Sequence, residues 1–145
     1  MIVFEFVAIL ACILFTGAAV YINVAEHPAR MSAGTAVAAT VFPPSYARAS
    51  VMQASLAWVA AASALGAYLS GGGAPWLVGG VLIFSVVPFT FACIMSTNNR
   101  LKAPDLDREA DSTRMLLVRW GRLHAVRSAL GAAASCLLLA AGLGG

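Results

Sequence analysis

Two imidazoles, His27 and His124, stand out in a chain of 145 residues that is 61% hydrophobic, because each is close in sequence to other polar groups within apolar surroundings. Asn23 and His27 are four residues apart, and Trp120, His124 and Arg127 follow an i, i+4, i+7 spacing that forms one stripe on a helix. Gln53 lies near the start of a second apolar stretch, and Asn98, Asn99 and Arg100 end a third. An imidazole can move a proton near neutral pH or ligate a metal. Amides and a guanidinium supply hydrogen-bond donors. Such groups are costly in a bilayer and usually face the bundle interior or a wet cavity.

The elements that must position them are apolar runs at Ile2–Val24, Val51–Leu69, Trp76–Met95 and Leu123–Leu143, each close to the ~20 residues a helix needs to cross ~30 Å of hydrocarbon. All nine Lys and Arg fall in Arg30 to Arg48 and Arg100 to Arg127. Basic residues near short loops stay cytoplasmic. The expected fold is therefore all-α: an integral membrane four-helix bundle with termini outside and two polar loops in the cytoplasm. It forms a single domain over 1–145, with helices at about 2–27, 50–70, 75–97 and 112–143. The expected location is a bacterial inner (plasma) membrane, as a multi-pass protein. Ile2–Ala19 lacks the positive n-region of a secretory signal, since the first charge is Glu5, so helix 1 is read as retained.

The net charge of +3 is a topology signal and an attraction to anionic lipid heads, with no nucleic-acid footprint. Helix 1 is expected to stop at His27, because Pro28 disfavours helix in the residue before it. A loop over Ala29–Ser50 follows, with a short interfacial element at Ala36–Phe42. Pro88 should kink helix 3. The small residues Ala54, Ala57, Ala61 and Ala64, and Gly131 and Ser135 on helix 4, suit close helix packing. Cys12, Cys93 and Cys136 read as small buried hydrophobes.

Plain structural roles compete for each polar residue. Arg127 can snorkel to the lipid heads, and His124 can be an interfacial hydrogen bonder. Glu26 and Arg30 can form an i, i+4 ion pair. Asn98 and Asn99 can cap helix 3, Trp120 and Tyr46 can join an inner aromatic belt, and Trp76 and Tyr68 an outer one.

Three segments carry a resemblance in the same order along the chain: Val20–Pro28, Pro88–Thr90 with Thr97-Asn98-Asn99-Arg100-Leu101, and the Trp-x-x-x-His-x-x-Arg element over Trp120–Arg127. They resemble the anthrone-oxygenase-like family of small four-helix membrane proteins. The resemblance implies an oxygenase acting with O2 on a flat, lipophilic, anthrone-like aromatic near the cytoplasmic face. Its methylene is acidic enough for a neutral imidazole to deprotonate, and the resulting anion can react with oxygen without a bound cofactor. On that reading His124, His27, Arg127, Asn98 and Arg100 are catalytic, with His124 the base. Trp120, Asn23, Gln53, Tyr46 and Asn99 hold the substrate.

No cofactor is expected, since no Gly-rich phosphate loop or flavin-binding pattern is present. Two other classes stay open. His27 and His124, with Glu26, can hold haem or a metal ion, or the chain can be a non-catalytic membrane subunit or small transporter. The expected partners are the lipid bilayer, the aromatic substrate and O2, with oligomerisation left open.

Overall fold

The structure, a computed structural model, describes residues 1–144. Its described residues form helices and no strands: α1 (Ile2–Ser32), α2 (Thr35–Gly72), α3 (Ala74–Leu101) and α4 (Asp111–Leu143). All four are long and apolar enough to cross a membrane, and the protein is a multi-pass membrane bundle. The shortest, at 28 residues, is about 42 Å long, beyond the ~30 Å of hydrocarbon. Each helix packs on two neighbours, α1 on α2 and α4, and α3 on α2 and α4.

Helix 1 does not stop at His27. The turn Ile22–Glu26 is a π-helix, in which the His27 N–H reaches the Ile22 carbonyl five residues back. That shift places Pro28 in the first turn of a fresh α segment, His27–Ser32, where its missing donor is not needed. The chain reverses at Ala33-Gly34, and Gly34 takes φ 107°, a conformation open to glycine.

The expected loop over Ala29–Ser50 is also helical, because α2 runs through Pro43 and Pro44. Ala38, Ala39 and Phe42 are buried there, and the Phe42 ring meets Trp120 edge-on at 5.2 Å. The apolar middle that suggested an interfacial element is thus the packed face of a helix whose tertiary contacts override two lost backbone donors.

Helix 3 is interrupted at Ser85, three residues before Pro88, whose ring crowds the carbonyl of Phe84. The Ser85 hydroxyl donates to the Leu82 carbonyl at 2.6 Å. A π-turn follows at Thr90–Ile94. Asn98 and Asn99 lie inside the final helical segment, Met95–Leu101, so neither is its cap.

One half of the bundle, around Cys12, Phe15, Ala60, Trp76 and Leu138, is packed through small residues. A Cβ on Gly79 would fall 2.5 Å from Leu138, and one on Gly131 2.8 Å from Thr16. Trp76 is buried here, so it is no belt residue. Of the cysteines only Cys12 is buried; Cys93 is half-buried and Cys136 exposed. The other half gathers Ile22, Phe42, Ile94, Leu117 and Trp120. It lies toward the Ala103–Ala110 connection, and the polar residues sit there.

Candidate active site

Trp120 is the hub. Its indole stacks on His124 with ring centroids 4.8 Å apart, meets His27 at 5.2 Å, and carries the Arg30 guanidinium 5.7 Å above it. The spacing of four on α4 produces the first contact. The π-turn before His27 and the extension of α1 beyond Pro28 produce the other two. The indole N–H donates to Asn98 Oδ1 at 2.9 Å, and Asn98 Nδ2 donates to the Tyr46 hydroxyl at 3.1 Å. Tyr46 therefore accepts from Asn98 and keeps its own proton to give elsewhere.

His124 is buried within the bundle at 2% exposure, which removes the interfacial reading. Its Nδ1 lies 2.8 Å from Asn23 Oδ1. The orientation of that amide is fixed, because Asn23 Nδ2 donates to the Gly121 carbonyl at 3.0 Å. Asn23 Oδ1 is also the acceptor for Ser128 Oγ at 2.6 Å. An amide oxygen only accepts, so Nδ1 carries the proton and Nε2 presents a lone pair. The arrangement holds one tautomer, with its basic nitrogen free.

Arg127 turns inward instead of snorkelling. Its Nη2 donates to Gln53 Oε1 at 3.0 Å, and its guanidinium lies 5.7 Å over the Phe15 ring. Glu26 and Arg30 do pair, at 3.1 Å, despite Pro28 between them, and Ser45 donates to the same carboxylate oxygen at 2.7 Å. Arg30 is buried by this arrangement.

Two cavities meet at these side chains. A small one of about 20 Å³ is lined by Arg30, Phe42, Tyr46, Trp120, His124 and Arg127 among others. A larger groove of about 320 Å³ lies between α2 and α3, beside Pro88 and the π-turn Thr90–Ile94, and is walled by Ala54, Ala57, Val87 and Phe91. Tyr46, Ser50, Gln53 and Arg127 line both. The nitrogens Arg30 Nε, Gln53 Nε2 and Arg127 Nε are buried with no hydrogen-bond partner in the protein.

Of the residues singled out from sequence, His124, Arg127, Trp120, Gln53 and Tyr46 line the small cavity, and Asn23, Asn98 and His27 brace it from behind. Asn99 and Arg100 do not join them. Both are exposed, and Arg100 faces a separate surface pocket with Asp105 and Arg119. Helical periodicity turns them away from Asn98. The set His27, His124 and Glu26 does not make a ligand sphere: Glu26 is engaged by Arg30 and Ser45, and Trp120 packs against both imidazoles. Among the described residues no three His, Cys, Asp or Glu side chains gather as metal ligands.

Ser128, Ser45 and Phe42 escaped the sequence reading. Ser128 stands four residues beyond His124 on the same stripe, a signal that was available. Ser45 and Phe42 lie in the Ala29–Ser50 stretch, where the Pro43-Pro44 pair signals a loop and masks the helical periodicity.

The sequence profile of the family described as anthrone oxygenase matches residues 42–137, most of the chain, a range that includes Tyr46, Gln53, Asn98, Trp120, His124 and Arg127 but not Asn23, His27 or Arg30. The protein belongs to the anthrone oxygenase family. Family membership extends to named fungal proteins. Anthrone oxygenase tpcL of Aspergillus fumigatus is 43% identical over 61 residues, covering 40% of this chain and 38% of that protein. Anthrone oxygenase gedH of Aspergillus terreus is 39% identical over 61 residues, covering 37% of this chain and 39% of that protein. The matched stretch is thus less than half the length of either relative. No solved structure matches the chain significantly.

Proposed function

We propose that this protein converts an anthrone-like methylene to a carbonyl with O2, using His124 as general base and no redox cofactor. The observation that carries the proposal is the free Nε2 of His124, held in its basic tautomer by Asn23 beside the cavity that adjoins the lateral groove. An apolar groove of 320 Å³ is in the range that small-molecule sites occupy. It opens between two membrane helices, so a lipophilic ring system dissolved in the bilayer reaches it without crossing water.

Bound there, the ring system presents its polar edge toward Tyr46, Gln53 and Arg127. The Tyr46 proton, which the Asn98 contact leaves unused, is the donor for the oxygen that becomes anionic when the methylene loses its proton, and the Arg127 charge lies on the same wall of the groove. Donors fixed before the reaction stabilise such charge strongly in a site with little water. His124 Nε2 takes the proton, and general-base catalysis of this kind contributes about 10²–10⁴-fold. Trp120, with Asn98 and His27 behind it, keeps the imidazole in place. The one-sided distribution of Lys and Arg supports an orientation with this end of the bundle at the cytoplasmic face and the termini outside.

The test is spectrophotometric conversion of an anthrone to its quinone by purified protein in liposomes, with Ala54→Trp as the groove variant, since Ala54 lines the groove without being buried in the core. Wild type should turn over, and Ala54→Trp should raise KM by about tenfold with a smaller change in kcat. Absence of wild-type turnover, or an Ala54→Trp enzyme with unchanged KM, overturns the proposal.

A further inference from the structure

The small cavity is too small for an aromatic ring and needs its own occupant. About 20 Å³ is room for one water-sized or diatomic molecule. Its wall is mixed: Ile22, Phe42, Ala49 and the Trp120 face are apolar, while Arg30 and Arg127 bring two guanidinium groups. The buried N–H groups without partners among the lining residues are all donors: Arg30 Nε, Gln53 Nε2 and Arg127 Nε. A buried donor left unpaired costs about 1–3 kcal/mol, so the occupant supplies electron-rich atoms, at least during part of the cycle. The charge balance points the same way. Glu26 neutralises Arg30, but the polar partner of Arg127 is the neutral Gln53 amide, leaving one positive charge without a counter-ion.

We propose that this cavity is the dioxygen site, and that Arg127 and Arg30 stabilise the superoxide formed in it when the substrate anion in the groove gives up one electron. The inference rests on the oxygenase reading above and adds where the second substrate binds. Ground-state O2 is a triplet, so a closed-shell carbanion does not form a C–O bond with it in one step. Electron transfer comes first, producing a carbon radical and superoxide, and a neighbouring positive charge lowers the energy of that pair. The two radicals then join as a C–O bond, making a peroxide anion. The protonated His124 returns its proton to the distal oxygen. Loss of the remaining C–H proton to a base, with cleavage of the O–O bond and departure of hydroxide, leaves the carbonyl. The balance is one CH2 and one O2 giving one C=O and one H2O.

Two measurements test the assignment. Ala49 lines the small cavity and not the groove. Ala49→Val fills cavity volume, so KM for oxygen should rise about tenfold while KM for the anthrone stays within about twofold. Equal changes in both constants, or none in either, overturn the proposal. The second measurement needs no turnover and no variant: methyl relaxation of wild-type protein in nanodiscs under pressurised oxygen. Paramagnetic O2 in the cavity should relax the Ile22 and Ala49 methyl protons more than those of Ala60 and Ala134, which are buried in the other half of the bundle. Uniform relaxation across the four residues means a cavity occupied by water only and overturns the proposal. A wild type that consumes no oxygen overturns the oxygenase reading instead, and the relaxation difference still decides whether the cavity takes O2.

Discussion

Replacing Asn23 with Ala removes the acceptor for two donors at once, the His124 Nδ1–H at 2.8 Å and the Ser128 hydroxyl at 2.6 Å. The serine has a fallback, the His124 carbonyl at 3.4 Å. The imidazole has none, so one buried donor loses its partner at a cost of about 1–3 kcal/mol, which should appear as a lower unfolding temperature in detergent. The catalytic effect is separate. Without Asn23 the ring proton can sit on either nitrogen and the ring can tilt, so kcat should fall about 10–100-fold, or roughly 1.4–2.7 kcal/mol of barrier. KM for the anthrone should hardly move, because Asn23 lines neither cavity. Asn23→Asp keeps an acceptor oxygen and should recover part of kcat. Since Asn23 acts through His124, the double variant Asn23→Ala/His124→Ala should be no slower than His124→Ala alone. Oxygen uptake in liposomes reads the wild type and all four variants. A wild-type kcat in Asn23→Ala, or losses that multiply in the double variant, would refute the positioning role.

Other expectations follow from single contacts. Gly121→Ala places a Cβ 2.7 Å from His27 Nε2, so it should destabilise the bundle by about 1–3 kcal/mol in thermal or denaturant unfolding. Gly79→Ala meets Leu138 at 2.5 Å and should cost a similar amount while leaving kcat unchanged, because it lies in the half away from the site. Activity in the presence of a strong chelator should equal activity without it; loss restored by one added metal would contradict the cofactor-free mechanism. A reporter fused near Asp107 should be active inside the cell and one after Gly145 outside. Cytoplasmic activity at both positions would refute the four-helix, termini-out reading.

The four apolar runs were legible in sequence because hydrocarbon thickness imposes a length that composition reveals directly. Their extensions were not. Pro28 and the Pro43-Pro44 pair signal helix ends locally, and only the π-turn before Pro28 and the burial of Phe42 against Trp120 explain why helix continues through both. The same extensions decide the site. With α1 carried to Ser32 and α2 begun at Thr35, Arg30, Ser45 and Tyr46 stand over Trp120 and His124. The stripe Trp120, His124, Arg127 was readable because 3.6-residue periodicity holds on an uninterrupted helix. Asn98 and Arg100 were grouped together by proximity in sequence, and the same periodicity separates them.

The central claim is that His124 removes the substrate proton. It is tested most directly by mixing the protein in oxygenated buffer with an anthrone deuterated at its methylene, for wild type and His124→Ala in liposomes. Wild type should show a deuterium isotope effect on quinone formation, and His124→Ala should insert, with a lowered unfolding temperature from the lost buried ring, yet turn over about 10²–10⁴-fold more slowly. Equal rates for the two proteins would contradict the account.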